Sequence, residues 1–219
     1  MSKHIHMAGI IPLANFDDTF GLSYPWCMLP VDQAFTMIQK SVFECAIAGC
    51  QTIWIVGNDD LAPIIRKTIG DWTYDPVYYY RKERYYKDKR KEIPIYYVPV
   101  HPKDRERRDS YGWSALFGMH SAWYVASRLS KWIVPEKYYI SFPHSLFNIY
   151  DLRAQRSKIS HHKNNFFLSH EGETVKDNKF LPFTMFGEDF KVCRRHVNAE
   201  TTKTFYNTEE DEKYPSKKL

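Results

Sequence analysis

The sequence predicts an α/β fold: a Rossmann-like, mostly parallel sheet flanked by helices. Two observations carry this. Residues 5 to 56 read as strand, loop, helix and strand, a length that fits a βαβ unit with a right-handed crossover. Further on, two short apolar runs, Ile93 to Val100 and Lys137 to Phe142, bracket a helical pattern from Tyr111 to about Trp132. With 219 residues, 43% hydrophobic and 16% aromatic, the chain is long and apolar enough for one sizeable core. One domain is expected over residues 1 to 199.

The first strand is the apolar run Ile5 to Ala14, followed by a polar loop from Asn15 to Tyr24. Pro25-Trp26-Cys27-Met28-Leu29-Pro30-Val31 leads into a helical pattern from Asp32 to Ala48. Asp32 is placed to cap that helix; Ala34, Phe35, Ile38, Val42, Cys45 and Ile47 supply its apolar face, and Gly49 ends it in the left-handed conformation. Thr52 to Val56 is the second strand and runs into Gly57-Asn58-Asp59-Asp60. Ligands of such sheets sit at the carboxyl ends of the strands. That places Asn15, Asp17, Asp18 and Gly21, with Asn58, beside whatever is bound. Asp59 or Asp60 is expected to cap a short helix from Leu61 to Ile69, with Pro63 in its first turn and Gly70 at its end.

Val77 to Tyr80 reads as a strand that opens a basic, aromatic hairpin insertion over about 77 to 110. From Arg81 to Arg108 there are 11 Lys/Arg against 5 Asp/Glu, a local excess of six in a chain whose formal total is +5. The positive charge is therefore concentrated here. Arg81 to Lys91 interleaves bases with tyrosines as nucleic-acid surfaces do, and equally as a hairpin with packed tyrosines and solvated charges does. Tyr111-Gly112-Trp113-Ser114 opens the long helix, where the first N–H groups favour an anion. After the strand ending at Phe142 comes Pro143-His144, which puts His144 at the mouth of the cleft. Phe166 to Ser169 and Phe180 to Phe186 are expected as strands of a small antiparallel part, and 200 to 219 as a charged, unstructured tail.

Several classes are excluded by what is missing. No apolar run approaches the ~20 residues of a membrane span, so no membrane partner is expected. The N-terminus enters the first strand without the apolar core of a signal peptide, and the four cysteines form no CxxC pair, which together suggest a cytoplasmic protein with reduced thiols. There is no GxSxG nucleophile elbow. His161, His162 and His170 match no metal-ligand spacing and read as solvated loop residues.

The order of these pieces resembles the sugar-1-phosphate nucleotidyltransferases, a GT-A-like family. Five stretches over roughly residues 5 to 155 carry the resemblance. Leu13-Ala14 with Gly21 is similar to the start of that family's nucleotide-binding loop, and Pro25 to Val31 to its Pro-Lys-x-Leu-Leu-Pro-Val segment. Ala48 to Val56 resembles its helix end and second strand. Tyr111-Gly112-Trp113-Ser114-Ala115-Leu116 resembles its Gly-Thr-Ala-x-Ala-Leu element, and Tyr139 to Leu152 lies where it has a strand ending in a metal-binding Asp. The resemblance implies a nucleotide or nucleotide-sugar ligand contacted by Leu13, Ala14, Asn15, Asp17, Asp18, Gly21, Asn58, Gly112, Trp113 and Ser114. It implies transfer of a nucleotidyl group to a sugar phosphate with Mg²⁺, Trp26 and His144 standing in catalytic positions and Asp151 available to hold the metal. The motifs are degenerate. The loop carries Asp17 and Asp18 and no Arg, Trp26 replaces a Lys, and His144 replaces the metal-binding Asp although Mg²⁺ prefers oxygen. A catalytically inactive binding or assembly module, and a nucleic-acid-associated protein using the basic hairpin, are the alternatives.

Overall fold

The structure, a computed structural model, describes residues 5–13, 21–22, 24–79, 91–100 and 110–203. Strand β1 (Met7–Pro12) is buried along its whole length. A 3-10 turn at Trp26–Met28 precedes a small hairpin, β2 (Pro30–Asp32) and β3 (Phe35–Thr36). Helix α1 (Met37–Ala48) follows, then β4 (Thr52–Gly57), α2 (Ala62–Ile69), β5 (Trp72–Tyr74) and the short α3 (Pro76–Tyr79). Next come β6 (Glu92–Pro99), α4 (Tyr111–Leu129), β7 (Lys137–Ile140), α5 (Ile149–His161), β8 (Phe183–Phe186) and α6 (Gly187–Lys203).

The described strands build a six-stranded sheet in the order β5-β6-β4-β1-β7-β8. β1 pairs in parallel with both β4 and β7, β4 pairs in parallel with β6, and only the edge strands β5 and β8 run antiparallel. Side chains alternate across a strand, and the two cores follow that alternation. Met7, Ile11, Ile53 and Ile55 pack under α1, α2 and α5; Ala8, Ile10, Trp54 and Val56 pack under α4 and α6. The result is a sheet with helices on both faces, as the sequence predicts. α4 lies so close to the sheet that a Cβ at Gly118 would stand 2.6 Å from Val56 Cγ2 and 2.8 Å from Ile10 Cγ2. Only glycine fits there.

Several local expectations are corrected. α1 starts at Met37, not at Asp32, because Thr36 and Gln39 form a reciprocal capping box while Asp32 instead accepts the Gln33 N–H in the hairpin turn. Ala34, expected on the helix face, sits in that turn at φ 55°. α2 opens on Leu61 without a side-chain cap, so neither Asp59 nor Asp60 fills that place. Val77–Tyr79 is helical, because the Asp75 carboxylate accepts the Val77 and Tyr78 N–H groups at 3.0 and 3.1 Å and starts a turn. The strand expected at 93–100 forms as β6, but as an interior strand of the sheet and not as part of an insertion over 77 to 110. Of the strand expected at 166–169 only an isolated bridge from Phe167 to Phe183 forms. α6 runs to Lys203 and so crosses the expected start of the tail; 204–219 lie outside the described residues, as do 80–90 of the basic stretch, Lys91 excepted.

Candidate functional site

The carboxyl ends of the parallel strands form one edge. Leu13 N–H reaches Val56 O at 2.8 Å, Val100 N–H reaches Gly57 O at 2.9 Å, and Ser141 N–H reaches Ile10 O at 2.9 Å, so β1, β4, β6 and β7 end together. The chain leaves β1 for one side of the sheet and β7 lies on the other, the switch point at which such folds bind ligands. α4 delivers its N-terminus to this edge. Ser110 caps it by accepting the Trp113 N–H at 3.2 Å, and the Tyr111 ring stands 5.9 Å from Phe142 and 5.3 Å from His144. Gly112 is exposed, and a Cβ built there meets nothing within 4 Å. The first turn of a 19-residue helix is therefore open toward solvent with N–H groups that no intrahelical acceptor takes.

His144 sits in a box of aromatic rings. Trp26 approaches edge-on at 5.5 Å and Phe180 edge-on at 4.8 Å, with Tyr111 and Phe142 completing the ring set. Its Nε2 is enclosed and has no hydrogen-bond partner among the described residues. Burial, with a smaller contribution from the Lys40 ammonium, holds the imidazole below its ordinary pKa of 6.5, so it is neutral at pH 7.

Behind the box lies a buried charged strut. Lys40 Nζ donates to Glu44 at 2.6 Å and to the Ser145 carbonyl, and stands 4.3 Å from the centre of the Phe147 ring. Glu44, fully buried, also accepts the Tyr139 hydroxyl at 2.7 Å. Burial pushes the Glu44 carboxyl up, partly offset by Lys40, Tyr139 and Ser141. The strut joins α1, β7 and the turn carrying His144, and so fixes that turn. Sequence reading missed it. The available signal was an i,i+4 Lys/Glu pair, the only charged residues in the helix Met37–Ala48.

The predicted site residues divide. Trp26, His144 and the Tyr111–Gly112 end of α4 come together. Gly21 is exposed at φ 58° with open space around it, while Ala14, Asn15, Asp17 and Asp18 lie outside the described residues. Leu13 is buried against Gly57, and Asn58 lines a narrow gap beside Leu13, Tyr97 and Val98. Trp113 turns away from the edge into a cavity of about 160 Å³ between α4 and α6, lined by Leu116, Phe117, His120, Arg194 and Val197. Ser114 is buried in the α4 interface with the sheet. Asp151 is exposed in the first turn of α5. No three His, Cys, Asp or Glu side chains gather to hold a metal among the described residues, and His144 lies among carbon rings. His144 and the rings around it offer no oxygen, the ligand Mg²⁺ prefers; Asp17 and Asp18 lie outside the described residues. Tyr111 and Phe180 are the members of the box that sequence reading did not find.

At the opposite, amino edge, Asp75 is buried and held by a bidentate Arg156 at 2.6 and 3.1 Å, with Lys91 at 3.3 Å. Arg156 also donates to the Ala46 and Ile47 carbonyls at the end of α1. This cluster ties α1, β5 and α5 together.

Neither protein-family models nor curated proteins match this sequence. Solved structures do. The inositol-1-phosphate CTP transferase from T. maritima aligns over 88% of this chain and 75% of its own, with a TM-score of 0.50 and 11% identity. The fold is of the nucleotidyltransferase type. A UDP-glucose pyrophosphorylase complexed with UDP-glucose aligns over 86% of this chain and 78% of its own, at 13% identity and a TM-score of 0.48. The 4-diphosphocytidyl-2C-methyl-D-erythritol synthase from Anaerococcus prevotii DSM 20548 aligns over 98% of this chain and 81% of its own, at 10% identity and 0.41. At these identities the likeness is one of fold.

Proposed function

We propose that this protein binds a nucleotide or nucleotide-sugar in the crevice at the carboxyl edge of β1 and β7. The observation that carries the reading is the open first turn of α4 standing beside the aromatic box of His144. The turn offers backbone N–H groups and the positive end of a long helix to a phosphate. The rings of Trp26, Tyr111 and Phe180 offer flat apolar faces to a base or a sugar ring, and the neutral imidazole offers one hydrogen bond to an uncharged hydroxyl or amide. The nucleotidyltransferase-type fold supports the same crevice.

Nucleotidyl transfer to a sugar phosphate is the reaction the fold suggests, but the donor set around His144 favours binding without metal-assisted transfer. Among the described residues no three His, Cys, Asp or Glu side chains gather at this edge, and His144 brings a ring nitrogen where such a step calls for oxygen.

A thermal-shift panel of nucleoside triphosphates and nucleotide-sugars, each with Mg²⁺ and with EDTA, tests this. At a ligand concentration about 100 times Kd the midpoint should rise by about 5–10 °C, equally in both buffers. No shift with any ligand at millimolar concentration removes the binding proposal. Mg²⁺-dependent pyrophosphate release from a triphosphate and a sugar phosphate removes the metal-free part of it.

A further inference from the structure

The carboxyl-terminal end of α4 carries a second, unrelated feature. Trp132 is 93% exposed and Leu129 is 70% exposed, with Tyr124, Val125 and Ile133 also on the surface. They form a knob: the last turns of α4 and the 3-10 turn Lys131–Ile133 that follows, held by Ser130 capping the Trp132 N–H at 3.3 Å. An indole left almost wholly in water is costly, and a cluster of exposed apolar side chains marks an interaction surface.

Within residues 124–133 the charges are of one sign, and exposed Glu136 follows three positions on. Arg128 and Lys131 are both exposed, and no Asp or Glu occurs between Tyr124 and Ile133. Arg128 lies across the Tyr124 ring at 5.1 Å, so one cation is held at the flank of the patch. A stable protein interface takes about 20–30 residues a side, whereas this patch presents five apolar side chains. Tryptophan with leucine on one surface, edged by Lys and Arg, instead suits the headgroup region of an anionic bilayer, where an amphipathic ring sits at the polar boundary.

Against the expectation of no membrane partner, which rested on the lack of a spanning segment, we infer that this knob docks the protein peripherally on an anionic lipid surface, with Trp132 and Leu129 inserted and Arg128 and Lys131 over the headgroups. α4 is about 28 Å long and runs from the carboxyl edge of the sheet to the opposite edge. A protein seated on this knob therefore keeps its ligand crevice turned away from the membrane. The inference is independent of what the crevice binds.

Flotation of the full chain with vesicles tests it, comparing neutral phosphatidylcholine with vesicles containing about a third phosphatidylserine. Binding should require the anionic lipid and weaken with added salt. Trp132→Ser should weaken it at least tenfold, and Arg128→Gln and Lys131→Gln about fivefold each, with unchanged thermal midpoints because all three side chains are exposed. Equal binding to neutral and anionic vesicles, undiminished binding by Trp132→Ser, or no binding at low salt each overturn it. A dimer in solution that Trp132→Ser dissociates would also overturn it, showing a second copy to be the occupant.

Discussion

Lys40 and Glu44 are the residues at which a single atom group decides the most. Taking two charges into the core is tolerable only while each has its partner. Lys40→Met leaves the fully buried Glu44 without its counter-ion, held only by the neutral hydroxyls of Tyr139 and Ser141, and a loss of about 3–5 kcal/mol in urea unfolding is expected. The double variant Lys40→Met, Glu44→Gln should recover most of it. If the double variant is as unstable as the single one, the strut stabilises by packing and not by charge. Asp75 gives a pH-dependent counterpart. Burial raises its pKa, but hydrogen bonds and charge from Arg156, the Tyr78 N–H and the charge of Lys91 outweigh burial and hold it below its ordinary value of 3.8. Because the folded pKa is the lower one, folding releases protons: the stabilisation is complete above 3.8 and is lost as pH falls through the folded value. Asp75→Asn should cost about 3 kcal/mol at pH 7, with the gap to the parent protein closing below pH 3.8. A gap that stays constant with pH contradicts the ion-pair account.

Helix α4 connects packing to binding at the scale of an element. Its two glycines predict opposite results. Gly118→Ala drives a methyl to 2.6 Å from Val56 and should destabilise by about 1–3 kcal/mol. Gly112→Ala enters open space and should stabilise by up to about 1 kcal/mol through helix propensity. Thermal unfolding of the pair checks both, and equal effects would contradict the close seating of α4 on the sheet. The same element shows what was legible in sequence. β1, α1, β4 and α4 are visible because their apolar periods and terminating glycines are local signals. The start of α1 is not, because Asp32 and Thr36 are both good caps and only the hairpin turn at Ala34 decides between them. Val77–Tyr79 has strand-like residues, yet the buried Asp75, fixed by Arg156 from 81 positions away, makes it a helix. α5 and α6 carry many polar residues and packing, not periodicity, defines them. Of the candidate site, Trp26, Gly112 and His144 could be found by resemblance of order. Tyr111 and Phe180 could not, since only tertiary structure brings Phe180 to His144.

For the whole molecule, the two ends of the sheet do different things. The amino edge carries the Asp75–Arg156 cluster, which lines a cavity of about 340 Å³, and the exposed end of α4; the carboxyl edge bears the helix N-terminus and the aromatic box. The frame is of the nucleotidyltransferase type, while the position where the resemblance puts a metal-binding Asp holds a neutral, ring-enclosed His144. The central claim is that this carboxyl edge holds the phosphate of a nucleotide or nucleotide-sugar at the start of α4. Isothermal titration of the tightest ligand from the panel into the parent protein and into Gly112→Asp tests it most directly. An aspartate in the first turn favours the helix dipole, so the variant should be at least as stable, yet its charge repels phosphate. We predict unchanged or raised thermal stability with affinity reduced at least tenfold, in EDTA as in Mg²⁺. Undiminished affinity in the stable Gly112→Asp protein would contradict the placement of the ligand at this helix.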